Sequence, residues 1–144
     1  MIEAKQINHI GIAVRSIEEQ KEFYEKTLGA RFEGVHDVPS QKCRAAFFIV
    51  GPPGCEVRLE LLEATSRDAA VARFIEEHGE GLHHVAYTAD SLDERLAELA
   101  SAGIKLVDLA PREGIHDNRR IAFLEPESSH GVMTELCELE QKES

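Results

Sequence analysis

Two stretches, "INHIGIAVRSIEE" (residues 7–19) and "LHHVAYTADSLDE" (residues 82–94), decide how this chain is read. Laid over each other at a shift of 75, His9 falls on His84, Ser16 on Ser91 and Glu19 on Glu94. The shift persists downstream. "VRLELLE" (57–63) falls on "VMTELCE" (132–138), so Glu60 meets Glu135. "AFFIVG" (46–51) matches "IAFLEP" (121–126) in apolar character. Self-similarity at a fixed spacing marks one supersecondary unit used twice.

Each copy opens with a strand. In "NHIGIAV", His9, Gly11 and Ala13 share one face and Ile10, Ile12 and Val14 the other, because successive strand side chains point to opposite sides. The β-branched face is expected to pack under a helix. In the second copy the matching sets are His84, Ala86 and Thr88 against His83, Val85 and Tyr87. His84 is therefore the twin of His9, and His83 is assigned to the opposite layer or the rim, with a structural role. Each Ser-x-x-Glu precedes an amphipathic run and reads as a capping box. Ile17, Tyr24 and Leu28 mark the first helical face, ended by Gly29; Leu92, Leu96 and Leu99 mark the second, ended by Gly103. Three strands are expected after each helix. A further helix, about 66–79, links the copies through an apolar face of Ala70, Val71, Phe74 and Ile75.

The predicted class is α+β, with two tandem βαβββ modules at about 5–64 and 80–139 in a single domain spanning 1–144. One module exposes a hydrophobic sheet face that it cannot bury alone. Two modules forming one curved, half-barrel-like mixed sheet solve that problem.

Composition narrows the function. Hydrophobic residues at 42% and charged residues at 30% give a soluble globular balance. No apolar run approaches the ~20 residues of a membrane span. The start, "MIEAKQINHI", has no basic segment followed by an apolar one, so no signal peptide is expected. Cys43, Cys55 and Cys137 are scattered without a C-x-x-C pair, which indicates neither a disulfide scaffold nor a zinc ribbon. A cytoplasmic setting is expected. A net charge of −11 argues against a nucleic-acid partner, which needs a basic face. It leaves room for a small anionic ligand, which sees only the local field.

Glu60 and Glu135 stand in otherwise apolar strands. A carboxylate carried into a sheet interior is costly unless paired or coordinated. A lone strand histidine is more often a satisfied structural residue than a ligand, and a lone strand glutamate usually faces solvent. Here both types recur at one shift, which favours the ligand reading. Two imidazoles and two carboxylates, placed symmetrically, suit a divalent metal ion.

The stretches "NHIGIAV", "FYEKTLGA", "VRLELLE", "FIEEHGEGLHHVAY", "IAFLEPESSHGV" and "TELCE" resemble the vicinal oxygen chelate superfamily, which includes glyoxalase I and the extradiol dioxygenases. Within it the chain is most similar to the methylmalonyl-CoA epimerase family, over about residues 7–138. The resemblance implies His9, Glu60, His84 and Glu135 as ligands of a divalent ion: cobalt foremost, or zinc, manganese or nickel. It implies an acyl-CoA substrate, C2 proton abstraction through a metal-stabilised enolate, and a homodimer. It makes Glu135 one acid/base, and the repeat symmetry nominates Glu60 as the other. Arg112, Arg119 and Arg120 in "PREGIHDNRRIAF" are candidates for the acyl-CoA phosphates, with a solvated loop as the alternative. His116 and His130 near this segment are read as surface residues, and His36 and His78 carry no pattern.

Two departures stand out. Ala45 in "PSQKCRAAF" occupies the place where some members carry a glutamate, and Glu127 in "EPES" replaces a usual base. Two other readings stay open. A glyoxalase I-like lyase acting on a glutathione hemithioacetal uses the same ligand types. A non-catalytic, ligand-sequestering protein of the same fold needs no chemistry at all.

Overall fold

The structure, a computed structural model, describes residues 2–114 and 119–139. It divides into two compact units, His9–His83, and Met1–Asn8 with His84–Ser144. Among the described residues there are eight strands and three α-helices, as the α+β class requires.

The first unit carries β1 (Gln6–Ala13, from His9 onward), α1 (Ile17–Glu22), β2 (Arg31–Val38), β3 (Cys43–Val50), β4 (Val57–Ala64) and α2 (Ala70–His78). Its strands run β2-β3-β4-β1, with β1 parallel to β4 and the other pairs antiparallel. The second unit carries β5 (Gly81–Thr88, from His84 onward), α3 (Leu92–Ser101), β6 (Arg112–Glu113), β7 (Arg120–Leu124) and β8 (Thr134–Glu138). Its order, β5-β8-β7-β6, repeats the first unit's pattern, parallel and then twice antiparallel. The repeat reaches single backbone bonds. Val14 N–H donates to Leu62 O at 2.9 Å, and Ala89 N–H donates to Cys137 O at 2.9 Å, each residue 75 after its twin.

The strand phase is the one predicted. His9, Gly11 and Ala13 are buried, while Ile10 and Ile12 join Val14, Ile17, Tyr24, Phe48 and Leu61 in the core beneath α1. His84, Ala86 and Thr88 are buried, while Tyr87 packs with Leu92 and Leu96 of α3 and with Leu136 of β8.

The helix ends depart from the prediction. Ser16 is extended, and its Oγ accepts from Glu19 N–H at 3.2 Å, so the serine half of the first capping box is made. Ser91 sits in the left-handed region (φ 53°) and makes no side-chain cap bond, so the second box does not form. A carboxylate from the end of β4 or β8 also stands at each helix start. Glu63 Oε2 accepts from Ile17 N–H at 3.3 Å, and Glu138 Oε1 accepts from Leu92 N–H at 3.4 Å. Negative charge at the positive end of a helix is favourable, and these two glutamates are themselves twins.

Leu28 leaves the predicted apolar face and is 52% exposed. The cause is a π-helical turn over Phe23–Thr27, closed by Leu28 N–H to Phe23 O at 3.1 Å, whose wider pitch advances the phase. α2 starts at Ala70, later than predicted; Ala70 is exposed, and Ala69 and Val71 take the buried places. α3 follows its prediction, with Leu92 and Leu96 buried and Gly103 at φ +82° beyond its end.

The alignment of "AFFIVG" with "IAFLEP" needs a correction. Phe47 pairs with Glu60, but Phe123 pairs with Glu135, so β7 lies one residue further on than the rest of the repeat. Phe123, not Ala122, is the twin of Phe47. β6 is two residues long against eight for β2. Pro111 offers no N–H there, and the Asp108 carboxylate takes Phe123 N–H at 2.8 Å.

Candidate active site

Each unit buries one imidazole beside one carboxylate. In the first, the parallel register of β1 and β4 sets Gly11 opposite Glu60 and His9 opposite Arg58. His9 Nε2 lies 3.5 Å from Glu60 Oε2, and both residues are at most 3% exposed. In the second, Ala86 stands opposite Glu135 in the same register. His84 Nε2 lies 2.9 Å from Glu135 Oε2, again with both residues buried. Glycine and alanine at the opposing positions leave room for the glutamate chains. A phenylalanine faces each glutamate from the antiparallel side, Phe47 for Glu60 and Phe123 for Glu135. The Phe123 ring meets His84 edge-on at 5.5 Å, and the Cys137 thiol donates to Glu135 Oε1 at 3.3 Å.

A buried carboxylate is tolerated because the neighbouring imidazole, and for Glu135 also the thiol, replaces part of its lost hydration. Burial pushes the Cys43 thiol upward from its ordinary pKa, and the charge on Glu60 adds to the effect. His9 with Glu60, and His84 with Glu135, offer imidazole nitrogen and carboxylate oxygen, the donors that a divalent ion takes.

The predicted role of His83 fits its place. Its ring packs edge-on against Phe74 of α2 at 4.7 Å, away from the face of His84. Arg112 is exposed, lies 3.4 Å from Asp108 and sits over the Phe123 ring at 5.2 Å. Arg119 is buried and donates to Asn8 Oδ1. Arg120 binds Glu138 through Nε at 2.8 Å and Asp93 through Nη2 at 2.9 Å, beside the start of α3. Glu127 pairs with Lys105 at 2.7 Å. His130 is exposed in a left-handed turn, and His116 lies outside the described residues.

Two residues were missed by sequence reasoning. A bulge in β2 lets Phe32 pair with Phe48 and Gly34 with Phe47, which flips the phase of everything after it. His36 thereby stands opposite Ala45, with its ring 5.2 Å from Phe47. A bulge leaves no mark in periodicity, so His36 could not have been found. Arg58 could have been. It precedes Glu60 by two positions in "VRLELLE" and so shares its face.

A family model described as the glyoxalase/bleomycin resistance protein/dioxygenase superfamily matches residues 8–123. The chain belongs to this superfamily. It is 42% identical over 132 residues to the uncharacterized protein YqjC of Bacillus subtilis, covering 92% of this chain and 91% of that one. It is 28% identical over 131 residues to human mitochondrial methylmalonyl-CoA epimerase, covering 90% of this chain and 72% of that one. A solved Streptomyces coelicolor methylmalonyl-CoA epimerase, in complex with 2-nitronate-propionyl-CoA, superposes with a TM-score of 0.87 at 33% identity and 99% coverage of both chains. Superfamily relatives named as methylmalonyl-CoA epimerases thus cover nearly the whole chain. Among the described residues no helix is long and apolar enough to cross a membrane.

Proposed function

We propose that this protein is a metal-dependent methylmalonyl-CoA epimerase that interconverts the (2R) and (2S) thioesters. The observation that carries the reading is the buried imidazole–carboxylate pair found once in each unit, in a chain similar to epimerases. His9, Glu60, His84 and Glu135 would hold one divalent ion, cobalt foremost, or zinc, manganese or nickel. The donor set fits such an ion without selecting among the four. When bound, the ion supplies Lewis-acid stabilisation of the negative charge that develops on the thioester oxygen.

The chain's own carboxylates move the proton. Glu135 takes the C2 proton at a carboxylate oxygen, and the C–H electron pair passes into the thioester carbonyl. Glu60 returns a proton to C2 from the opposite face, and exchange with water resets both groups. His84 and the Cys137 thiol, each within contact of one Glu135 oxygen, fix the orientation of that carboxylate. Of the three loop arginines, exposed Arg112 is best suited to the phosphates of the coenzyme, since Arg119 is buried and Arg120 is held by Glu138 and Asp93. A homodimer and a cytoplasmic setting belong to the same reading.

Proton NMR of (2R)-methylmalonyl-CoA in D2O tests it, with cobalt-loaded protein against a metal-stripped control. Metal-dependent loss of the C2 proton together with appearance of the 2S epimer is expected. No exchange despite stoichiometric metal would point to a different thioester or to a hemithioacetal. Failure to hold any metal would point to a ligand-sequestering role.

A further inference from the structure

Each unit places a basic side chain from its edge strand over the phenylalanine that faces its buried glutamate. In the second unit this is Arg112, which stands opposite Ile121 on β7 with its guanidinium 5.2 Å over the Phe123 ring. In the first it is His36, which stands opposite Ala45 on β3 with its ring 5.2 Å from that of Phe47. Ala45 and Ile121 each precede the phenylalanine by two positions, so His36 and Arg112 hold the same place in the repeat. Both are exposed. The β2 bulge is what brings His36 there. An unbroken ladder continued from Phe32 opposite Phe48 would set Val35 opposite Ala45 and turn His36 to the face of Arg44. That arrangement would cover a valine with Ala45 and Phe47, which are both fully buried. The protein does the reverse: Val35 is 43% exposed, and His36 sits against Phe47. Packing therefore does not select this arrangement, whereas bulges beside active sites serve to re-aim a side chain. The ring also leans inward. His36 Nε2 lies 3.8 Å from where a Cβ of Gly34 would stand, and Gly34, Phe47, Glu60 and Gly11 form one row across β2, β3, β4 and β1.

The epimerase reaction needs one group that starts without a proton and one that starts with it. A carboxylate serves as a metal ligand in its deprotonated form, which suits Glu135 to the first task and leaves Glu60 unsuited to the second. We infer that His36, in place of Glu60, returns the proton to C2. This rests on the epimerase reading and changes its second proton-transfer group alone. The imidazolium N–H protonates C2, the enolate electron pair forms the new C–H bond, and the thioester carbonyl is restored. The neutral ring, exposed to solvent, then regains a proton from water. In the reverse direction the neutral ring takes the C2 proton, and the C–H electron pair passes into the carbonyl. Imidazole changes charge near neutral pH and can do both, whereas the arginine at the same place in the second unit stays charged and can only bind an anion. Among the described residues, the other titratable or charged groups on this face of the first unit are Arg31 on β2, Cys43 on β3, Arg58 and Glu60 on β4, and His9 on β1. Asp37, next to His36, turns to Arg44 at 3.1 Å.

The test is proton NMR in D2O on cobalt-loaded protein, started from each epimer of methylmalonyl-CoA in turn. The wild type should exchange the C2 proton of either epimer and invert both. His36→Asn should still exchange the C2 proton of the epimer that faces Glu135, with retention of configuration. Exchange of the other epimer, and inversion of both, should fall by about 100- to 10,000-fold. The cobalt affinity of this variant should match the wild type, since the ring is not a ligand. Added imidazole should restore part of the inversion to His36→Ala, which a variant that failed to fold could not show. Exchange lost equally from both epimers, or a variant that inverts as the wild type does, would overturn the inference while the epimerase reading stands. A wild type that neither exchanges nor inverts would overturn both.

Discussion

Replacing His84 and His83 separately by alanine separates the two faces of β5. His84 is 4% exposed and sits 2.9 Å from a carboxylate that is itself buried. Removing its ring strands Glu135 with only part of its polar surroundings. Breaking a buried pair in this way costs about 3 kcal/mol. His83 is half-buried and contributes one edge-on contact with Phe74 at 4.7 Å, worth about 1 kcal/mol. For a chain of 144 residues each kcal/mol moves the melting temperature by about 3–4 °C. His84→Ala should therefore melt about 10 °C below the wild type in metal-free buffer, and His83→Ala about 3–4 °C below. Metal binding divides them more sharply. Altering a group that merely orients a ligand costs about 10- to 100-fold in affinity, so deleting a ligand should cost at least that much, while His83→Ala leaves affinity unchanged. Paired thermal melts and cobalt titrations, followed by calorimetry and by the visible absorption of the bound ion, measure both effects. Equal loss of metal affinity in the two variants would refute the assignment of His84, not His83, to the site face.

The two helix starts should respond differently. Ser16→Ala removes a made cap bond and should cost about 1 kcal/mol, whereas Ser91→Gly relieves a left-handed residue and should be neutral or stabilising, both read from urea unfolding. At Gly51 (φ +98°) an added Cβ would meet Cys55 O at 2.4 Å, so Gly51→Ala should lower the unfolding free energy from the same urea titration by more than the about 1 kcal/mol of a simple backbone penalty. Iodoacetamide at mildly alkaline pH should label exposed Cys55 alone in the folded protein. Cys43, buried and held in its thiol form, and Cys137, buried against Glu135, should react only after unfolding, as mass spectrometry would show.

The repeat determined most of this architecture from the sequence. Strand alternation has a period of two, so "NHIGIAV" and "LHHVAY" fix which histidine turns inward without any tertiary information. A glutamate in an apolar strand is a costly placement, and two of them at one shift mark a candidate site before any distance is known. Features set by contacts remote in sequence were not legible. The bulge that turns His36 toward Phe47 depends on how β2 pairs with β3, and a single extra residue leaves no periodic trace. The one-residue offset of β7 is set by the register of β7 on β8, which apolar character alone cannot resolve. Glu138 stands where the second capping box was expected, and Glu63 joins Ser16 at the first helix, because the end of one strand lies beside the start of a helix 46 residues away in sequence. Local sequence sets which face a side chain takes. Only the packing of distant strands decides what it meets there.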